Sequence, residues 1–141
     1  MRQVLDPKPE EVRLWACQGW EALVNVGKYL RRSSFWEELS QVEEARTYVF
    51  RLWALAENVP QARYGITALI DAGASMPPGI DKSLPGTDLT ELLGAARYLA
   101  KALTELQHRL GRNGPYQLPD AFAEFVATDL ASIPGQNLQG A

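Results

Sequence analysis

The chain has 141 residues, of which 46% are hydrophobic and 22% are charged, and its formal net charge is −3 at pH 7. This apolar content is typical of a globular domain of ordinary size and excludes an intrinsically disordered chain. The net negative charge argues against general binding to duplex DNA, which needs many Lys and Arg contacts to phosphate.

The sequence also carries indications of the compartment. Cys17 is the only cysteine, so an internal disulfide is excluded and a reducing compartment is expected. No apolar run is long enough to cross a bilayer, and the N-terminal sequence MRQVLDPKPEE lacks the apolar stretch of a signal peptide. We therefore expect a cytoplasmic protein without a membrane partner.

Two long helices are predicted in the N-terminal half. Apolar residues recur at helical spacing from about Glu10 to Arg32, after two prolines that suit a first helical turn. Ser34 followed by Glu37 is typical of a capping box and predicts that a second helix begins there. The connection is so short that the two helices should form an antiparallel hairpin.

Three further helices are predicted after that hairpin. The third covers about residues 61–71 and ends at Gly73. The fourth is capped by Thr87 or Asp88 and runs through Leu110 to a stop at Gly111. The fifth covers about 120–131, with Phe122, Phe125, Val126 and Leu130 expected to face inward. The fold class is therefore all-α, a five-helix bundle built on the N-terminal hairpin. Residues 1–131 are expected to form one helical domain, and 132–141 a flexible tail.

Two other features are predicted from residue types alone. The sequence ASMPPGIDKSLPG at 74–86 is rich in proline and glycine and predicts a long loop of the kind that often serves binding. The tryptophans Trp15, Trp20, Trp36 and Trp53 are expected in or beside the seam of the hairpin, because large aromatic side chains dominate core burial.

No catalytic or metal-binding motif is found. A single histidine, His108, and a single cysteine cannot build a zinc site of the usual nitrogen and sulfur ligands. There is no D-x-D pair to hold the ions of a two-metal phosphoryl-transfer centre. The acidic pairs Glu37-Glu38 and Glu43-Glu44 are expected to form a solvated helix face. No residue is therefore predicted to be catalytic or to bind a metal.

One basic cluster is a candidate binding site. Lys28, Arg31 and Arg32 stand at positions i, i+3 and i+4 near the end of the first helix, so Lys28 shares a helix face with both arginines. Such a cluster suits a phosphate-bearing or otherwise anionic ligand, with Trp20 two turns earlier as a stacking wall. In the alternative interpretation, the three cations only offset the carbonyl end of the helix dipole.

The tract GWEALVNVGKYLRRSSFWEELSQVEEARTYVFRLWAL resembles the C-terminal helical domain of aminoglycoside nucleotidyltransferases, most of all the streptomycin-adenylylating branch. In that family an aromatic pair near the start of a long helix is followed by a lysine and then an arginine. The matching positions are Gly19-Trp20, Lys28 and Arg31. The later tract MPPGIDKSLPGTDLTELLGAARYLAKALTEL is similar to the loop and helix of the same domain.

This resemblance implies a helical bundle that packs against a catalytic domain of the DNA polymerase β type and closes the cleft over nucleotide and acceptor. Lys28 would then face the triphosphate. The catalytic half is missing, so no activity is expected from this chain alone, and Mg²⁺ and a nucleotide would bind only when a catalytic domain is supplied. The expected partners are such a domain or a second copy in a homodimer, with a nucleotide or aminoglycoside-like ligand.

A second class of protein stays open. Small all-α proteins of the HEPN kind act as non-catalytic interaction proteins or as toxin and antitoxin partners, and some are ribonucleases. Their nuclease motif places an arginine a few residues before a histidine on one helix. Arg97, the nearest preceding arginine, stands eleven residues before His108, which argues against a ribonuclease.

Overall fold

Residues 7–134, which the computed structural model describes, form five α-helices and contain no β-strand. The predicted all-α class is therefore confirmed. The helices are α1 (Pro9–Arg31), α2 (Phe35–Ala56), α3 (Ile66–Ala72), α4 (Leu89–Asn113) and α5 (Asp120–Ala131). Two short 3-10 turns, Ala62–Tyr64 and Ile80–Ser83, lie in the connections before α3 and α4.

Helices α1 and α2 form the predicted antiparallel hairpin and pack against each other along their length. The turn between them contains Ser33, whose φ of 55° is in the left-handed region, and it reverses the chain within three residues. Across the hairpin, the Asn25 side-chain amide donates a hydrogen bond to Gln41 Oε1 at 3.2 Å. This bond joins positions equally distant from the turn, as an antiparallel pairing requires.

Helix α4 closes the core over the hairpin. A Cβ atom added at Gly19 in α1 would lie 3.2 Å from Leu103 of α4 and 3.3 Å from Tyr48 of α2, so the glycine lets all three helices approach closely. The core is made of apolar side chains from every helix, and each buried Leu or Val contributes about 1.5–3 kcal/mol through burial. Its largest fully buried members are Trp20, Leu23, Leu30, Leu52, Leu69, Leu92, Leu93, Leu99, Leu103 and Leu130.

Helix α5 is attached to the bundle by charged side chains as well as by its apolar face. The Arg97 guanidinium of α4 donates to the carbonyl oxygens of Leu130 at 3.1 Å and Ile133 at 2.6 Å. Carbonyl groups at the end of a helix lack partners within the helix, and this arginine binds one carbonyl in the last turn of α5 and one just beyond its end. Arg31 of α1 pairs with Asp129 on the same end of α5.

The cap residues match the prediction at some helix ends and differ at others. Asp88 accepts a hydrogen bond from the Glu91 backbone N–H at 2.8 Å, and Gly73 ends α3 in the left-handed conformation, both as predicted. The Ser34 hydroxyl instead donates to Glu37 Oε1 at 2.5 Å and makes no bond to the backbone, so the predicted capping box does not form. Gly111 lies inside α4, which continues to Asn113.

Four further expectations are corrected by the packing. The predicted third helix is divided at Gly65, whose φ of 57° and ψ of −120° separate a 3-10 turn from α3. Trp36 is 77% exposed and so lies outside the hairpin seam, and Phe125 is 65% exposed rather than facing inward. The predicted tail falls partly outside the described residues, but Ile133 at its start is buried in the core.

Candidate functional site

The basic cluster predicted from the sequence lies at the closed end of the hairpin, and its members have different environments. Lys28 and Arg32 are exposed, whereas Arg31 makes a two-pronged ion pair with Asp129, with nitrogen to oxygen distances of 2.9 and 3.2 Å. The Lys28 ammonium lies 5.5 Å from the centre of the Tyr29 ring. Two of the three cations therefore face solvent without a carboxylate partner among the described residues.

Trp20 does not serve as the stacking wall that the sequence suggested. Its side chain is completely buried, and its indole nitrogen donates to Gln107 Oε1 at 2.8 Å. Gln107 in turn donates to Asp120 Oδ1 at 3.2 Å. The ring therefore ties α1 to α4 in the core, where no ligand reaches it.

The exposed aromatic residue near the basic cluster is Trp36, in the first turn of α2. Its ring packs edge-to-face against Phe35 with the ring centres 5.4 Å apart, and most of its surface stays open. Since Arg32 is the first residue of the three-residue turn and Trp36 is the second residue of α2, they lie at the same end of the hairpin. We call Lys28, Arg32 and Trp36 the hairpin tip. Trp36 directly follows the basic residues in the sequence RRSSFW, but it was not predicted to belong to the site because a tryptophan is expected in a core.

A second candidate site is a groove of about 700 Å³ between α4, the loop 74–86 and Trp53 near the end of α2. The α4 side of the groove consists of two rows of residues that are spaced four apart. The rows are Arg97, Lys101, Glu105 and Arg109, and Tyr98, Ala102 and Leu106. Residues four apart are neighbours on a helix surface, so one row is charged and the adjacent row is apolar and aromatic.

The loop that forms one wall of the groove is held in place by hydrogen bonds from α2 and α4. The Trp53 indole nitrogen donates to the Ser75 carbonyl at 2.8 Å, and the Tyr98 hydroxyl donates to the Pro78 carbonyl at 2.6 Å. Burial raises the pKa of the Tyr98 hydroxyl, and the carboxylates of Asp81 and Glu105 raise it further, so it stays a donor. The loop is thus an ordered wall.

Hydrogen bonds between Arg46 and Ser83 anchor the C-terminal end of this loop. The buried Ser83 hydroxyl accepts a hydrogen bond from Arg46 Nε at 2.8 Å, and its carbonyl accepts one from Arg46 Nη2 at 2.6 Å. The Ser83 hydroxyl itself donates to the Ile80 carbonyl at 2.7 Å. Helix α2 therefore fixes the loop at two points, Ser75 and Ser83.

The groove carries more positive than negative charge. Arg109 is neutralised by Glu57, at 2.6 Å, and its guanidinium also lies over the Trp53 ring at 5.6 Å. Lys82 and Lys101 are exposed and pair with no carboxylate in the described part of the chain. Among the described residues, Glu105 is the only carboxylate that lines the groove, so the lysines give the groove a net attraction for anions.

Sequence reasoning did not identify this groove, although two signals for it were present. The loop was expected to serve binding, and the spacing of Arg97, Lys101, Glu105 and Arg109 is readable from the sequence. What cannot be read there is that the loop folds back beside this row, because that depends on the distant hydrogen bonds of Trp53 and Tyr98.

One acidic residue is buried in the core, although the sequence predicted that it would be solvated. Glu38, predicted to be solvated, is completely buried in α2, and neither of its carboxylate oxygens has a hydrogen-bond partner. Burial without a partner favours the neutral acid and raises its pKa from 4.5 to about 7. Glu37, Glu43 and Glu44 are exposed, as predicted.

The remaining candidates of the sequence show no convergent chemistry. His108 is exposed on α4, and Cys17 is half-buried. Within residues 7–134, no three His, Cys, Asp or Glu side chains come together as ligands for a metal ion. Nor does any helix in that range combine the length and the apolar character that crossing a membrane requires.

Comparison with known proteins adds nothing to these sites: no protein-family model, curated protein or solved structure matches the chain significantly. The function is therefore inferred from the residues and their geometry.

Proposed function

We propose that the protein is an accessory helical domain, without catalytic activity of its own, that covers the nucleotide held by a nucleotidyltransferase catalytic domain in the cytoplasm. The observation that carries this proposal is the hairpin tip. There Lys28 and Arg32 are exposed at the end of α1, and Trp36 is exposed at the start of α2.

The chemistry of the tip suits a nucleotide. An ammonium and a guanidinium bind phosphate oxygens through charge-assisted hydrogen bonds, and a tryptophan offers a face on which a base can stack. An aminoglycoside is itself cationic, so Lys28 and Arg32 would repel it. The tip therefore favours the nucleotide over the acceptor as its ligand.

The same surface supports a macromolecular partner. Trp and Arg are enriched among the residues that dominate protein interfaces, and the tip presents one of each. We propose that Trp36 becomes buried against a catalytic domain or, in its absence, against a second copy of the chain. Light scattering of the wild type and of Trp36→Ser tests this, because only the wild type should form dimers at high concentration.

Calorimetric titration with ATP tests the ligand, with the wild-type chain and each variant bound to a nucleotidyltransferase catalytic domain. Loss of one charge-assisted bond corresponds to about 1.5–3 kcal/mol, so Lys28→Ala should weaken ATP binding by at least about tenfold. Lys8→Ala is the matched control, since Lys8 is an exposed lysine at the opposite end of α1. An isotherm that Lys28→Ala leaves unchanged would remove the hairpin tip from the proposal.

A further inference from the structure

We infer that the groove between α4 and the loop 74–86 binds a small amphipathic organic anion, a molecule with a flat apolar body and one phosphate or carboxylate group. This site shares no residue with the hairpin tip and does not depend on the proposed function. It is defined by the charged row and the apolar row of α4, by Trp53 and by the loop wall.

The apolar part of the ligand is indicated by one side of the groove. Tyr98, Ala102 and Leu106 form a continuous strip along α4, and Trp53 adds an aromatic ring at the end of α2. Binding sites for small molecules are mostly apolar and aromatic, with a few polar groups that fix orientation. Because the side chain of Ala102 is small, the middle of the strip leaves room for a flat apolar body between Tyr98 and Leu106.

The anionic part is indicated by the charges. Arg97 is occupied by the carbonyl oxygens of Leu130 and Ile133, and Arg109 by Glu57. Lys101 on the helix and Lys82 on the loop are the cations left without such partners among the described residues that line the groove. They lie on different walls of the same groove, so an anion between them would be held from two sides.

The volume and the rigidity of the groove favour a whole small molecule over an inorganic ion. A space of about 700 Å³ is within the range of roughly 300–1,000 Å³ that small-molecule sites occupy. The loop wall is already fixed by Trp53, Tyr98 and Arg46, so little ordering accompanies binding. A preformed wall lowers the entropy cost that weakens association.

The test uses 1-naphthyl phosphate as the probe and titrates it into the 141-residue chain by calorimetry. Neutral 1-naphthol and inorganic phosphate report the apolar and the anionic contributions separately. We expect 1-naphthyl phosphate to bind at least about tenfold more tightly than either. Lys101→Ala should weaken it by at least about tenfold, the loss expected for one charge-assisted bond. Lys8→Ala, an exposed lysine outside both sites, is the matched control and should leave the affinity unchanged, while Lys28→Ala reports any binding of the probe at the hairpin tip.

A second variant tests the location without removing a charge. Ala102→Trp places a large side chain on the strip, at a half-buried position, and should abolish binding. Circular dichroism confirms that each variant folds. The inference is overturned if 1-naphthyl phosphate does not bind at millimolar concentration, if 1-naphthol binds as tightly, or if Lys28→Ala weakens binding while Lys101→Ala does not.

Discussion

The indole nitrogen of Trp20 donates a hydrogen bond to Gln107 Oε1 at 2.8 Å, and so joins two residues that are 87 positions apart in the chain. Both side chains are buried, at 0% and 3% exposure. A polar pair in a helical core fixes the rotation of α1 against α4, because apolar packing alone is far less directional.

Gln107→Leu should lower the free energy of unfolding by about 1–3 kcal/mol, because it leaves the buried N–H of Trp20 without an acceptor. Replacing both partners removes the orphaned group as well as the bond. The double variant Trp20→Phe/Gln107→Leu should therefore lose less stability than the sum of the two single variants. Urea unfolding of the four proteins measures the coupling, and strictly additive losses would show that the bond contributes nothing specific.

Two glycines should respond to alanine with opposite signs. Gly79 in the loop wall has a φ of 72°, which an L side chain adopts only with strain, so Gly79→Ala should cost about 1–2 kcal/mol. Gly94 is exposed in α4, and no atom lies within 4 Å of an added Cβ. Gly94→Ala should therefore raise the stability by about 1 kcal/mol, the difference in helix propensity. Thermal unfolding of both variants tests this prediction, and a loss of stability in Gly94→Ala would contradict it.

Arg31 and Arg97 both bind the end of α5 but should differ in their contribution to stability. The ion pair of Arg31 with Asp129 is exposed, at 49% and 34% of the two side chains, and such pairs contribute about 1 kcal/mol or less. Arg97 satisfies backbone carbonyls of Leu130 and Ile133, so Arg97→Met should cost more than Arg31→Met. Chemical unfolding in low and high salt separates them, because only the Arg31 pair should be screened.

The helices could be predicted because their signals are local. Asp88 is followed at the correct spacing by Glu91 at the start of α4, and Gly73 has the conformation that ends α3. Each of these helix ends is therefore determined by a few consecutive residues. The capping box at Ser34 failed because its hydroxyl bonds to the Glu37 carboxylate instead of the backbone. Gly111 failed as a stop because glycine only weakens a helix, and α4 continues past it to Asn113.

The sites could be predicted only in part. Lys28 and Arg32 are found exposed at the end of α1, where the helical period placed them. Residue type predicts burial in or beside the hairpin seam for both Trp20 and Trp36. Trp20 is buried there and so cannot stack on a ligand, whereas Trp36 is exposed. The groove forms only where the loop lies beside α4, and local sequence patterns do not predict that contact.

The stability of the hairpin should depend on pH through Glu38. Its pKa is about 7 in the folded chain and 4.5 in its ordinary state, so the folded protein holds the proton more tightly than the unfolded chain does. Stability contributed by the neutral acid is therefore complete below about pH 4.5 and is lost as the pH rises toward 7. One pKa unit corresponds to about 1.4 kcal/mol, so the loss across this window is about 3 kcal/mol.

Glu38→Gln removes this titration and should flatten the change in unfolding free energy between pH 4.5 and 8. At pH 8 the variant should be more stable than the wild type, because the wild type then carries a buried charge without a partner. Glu44→Gln is the matched control, an exposed glutamate on the same helix that should leave the pH profile unchanged. Urea unfolding at several pH values measures all three proteins. A wild-type profile that Glu38→Gln does not flatten would show that the carboxylate gains a partner or solvent in solution.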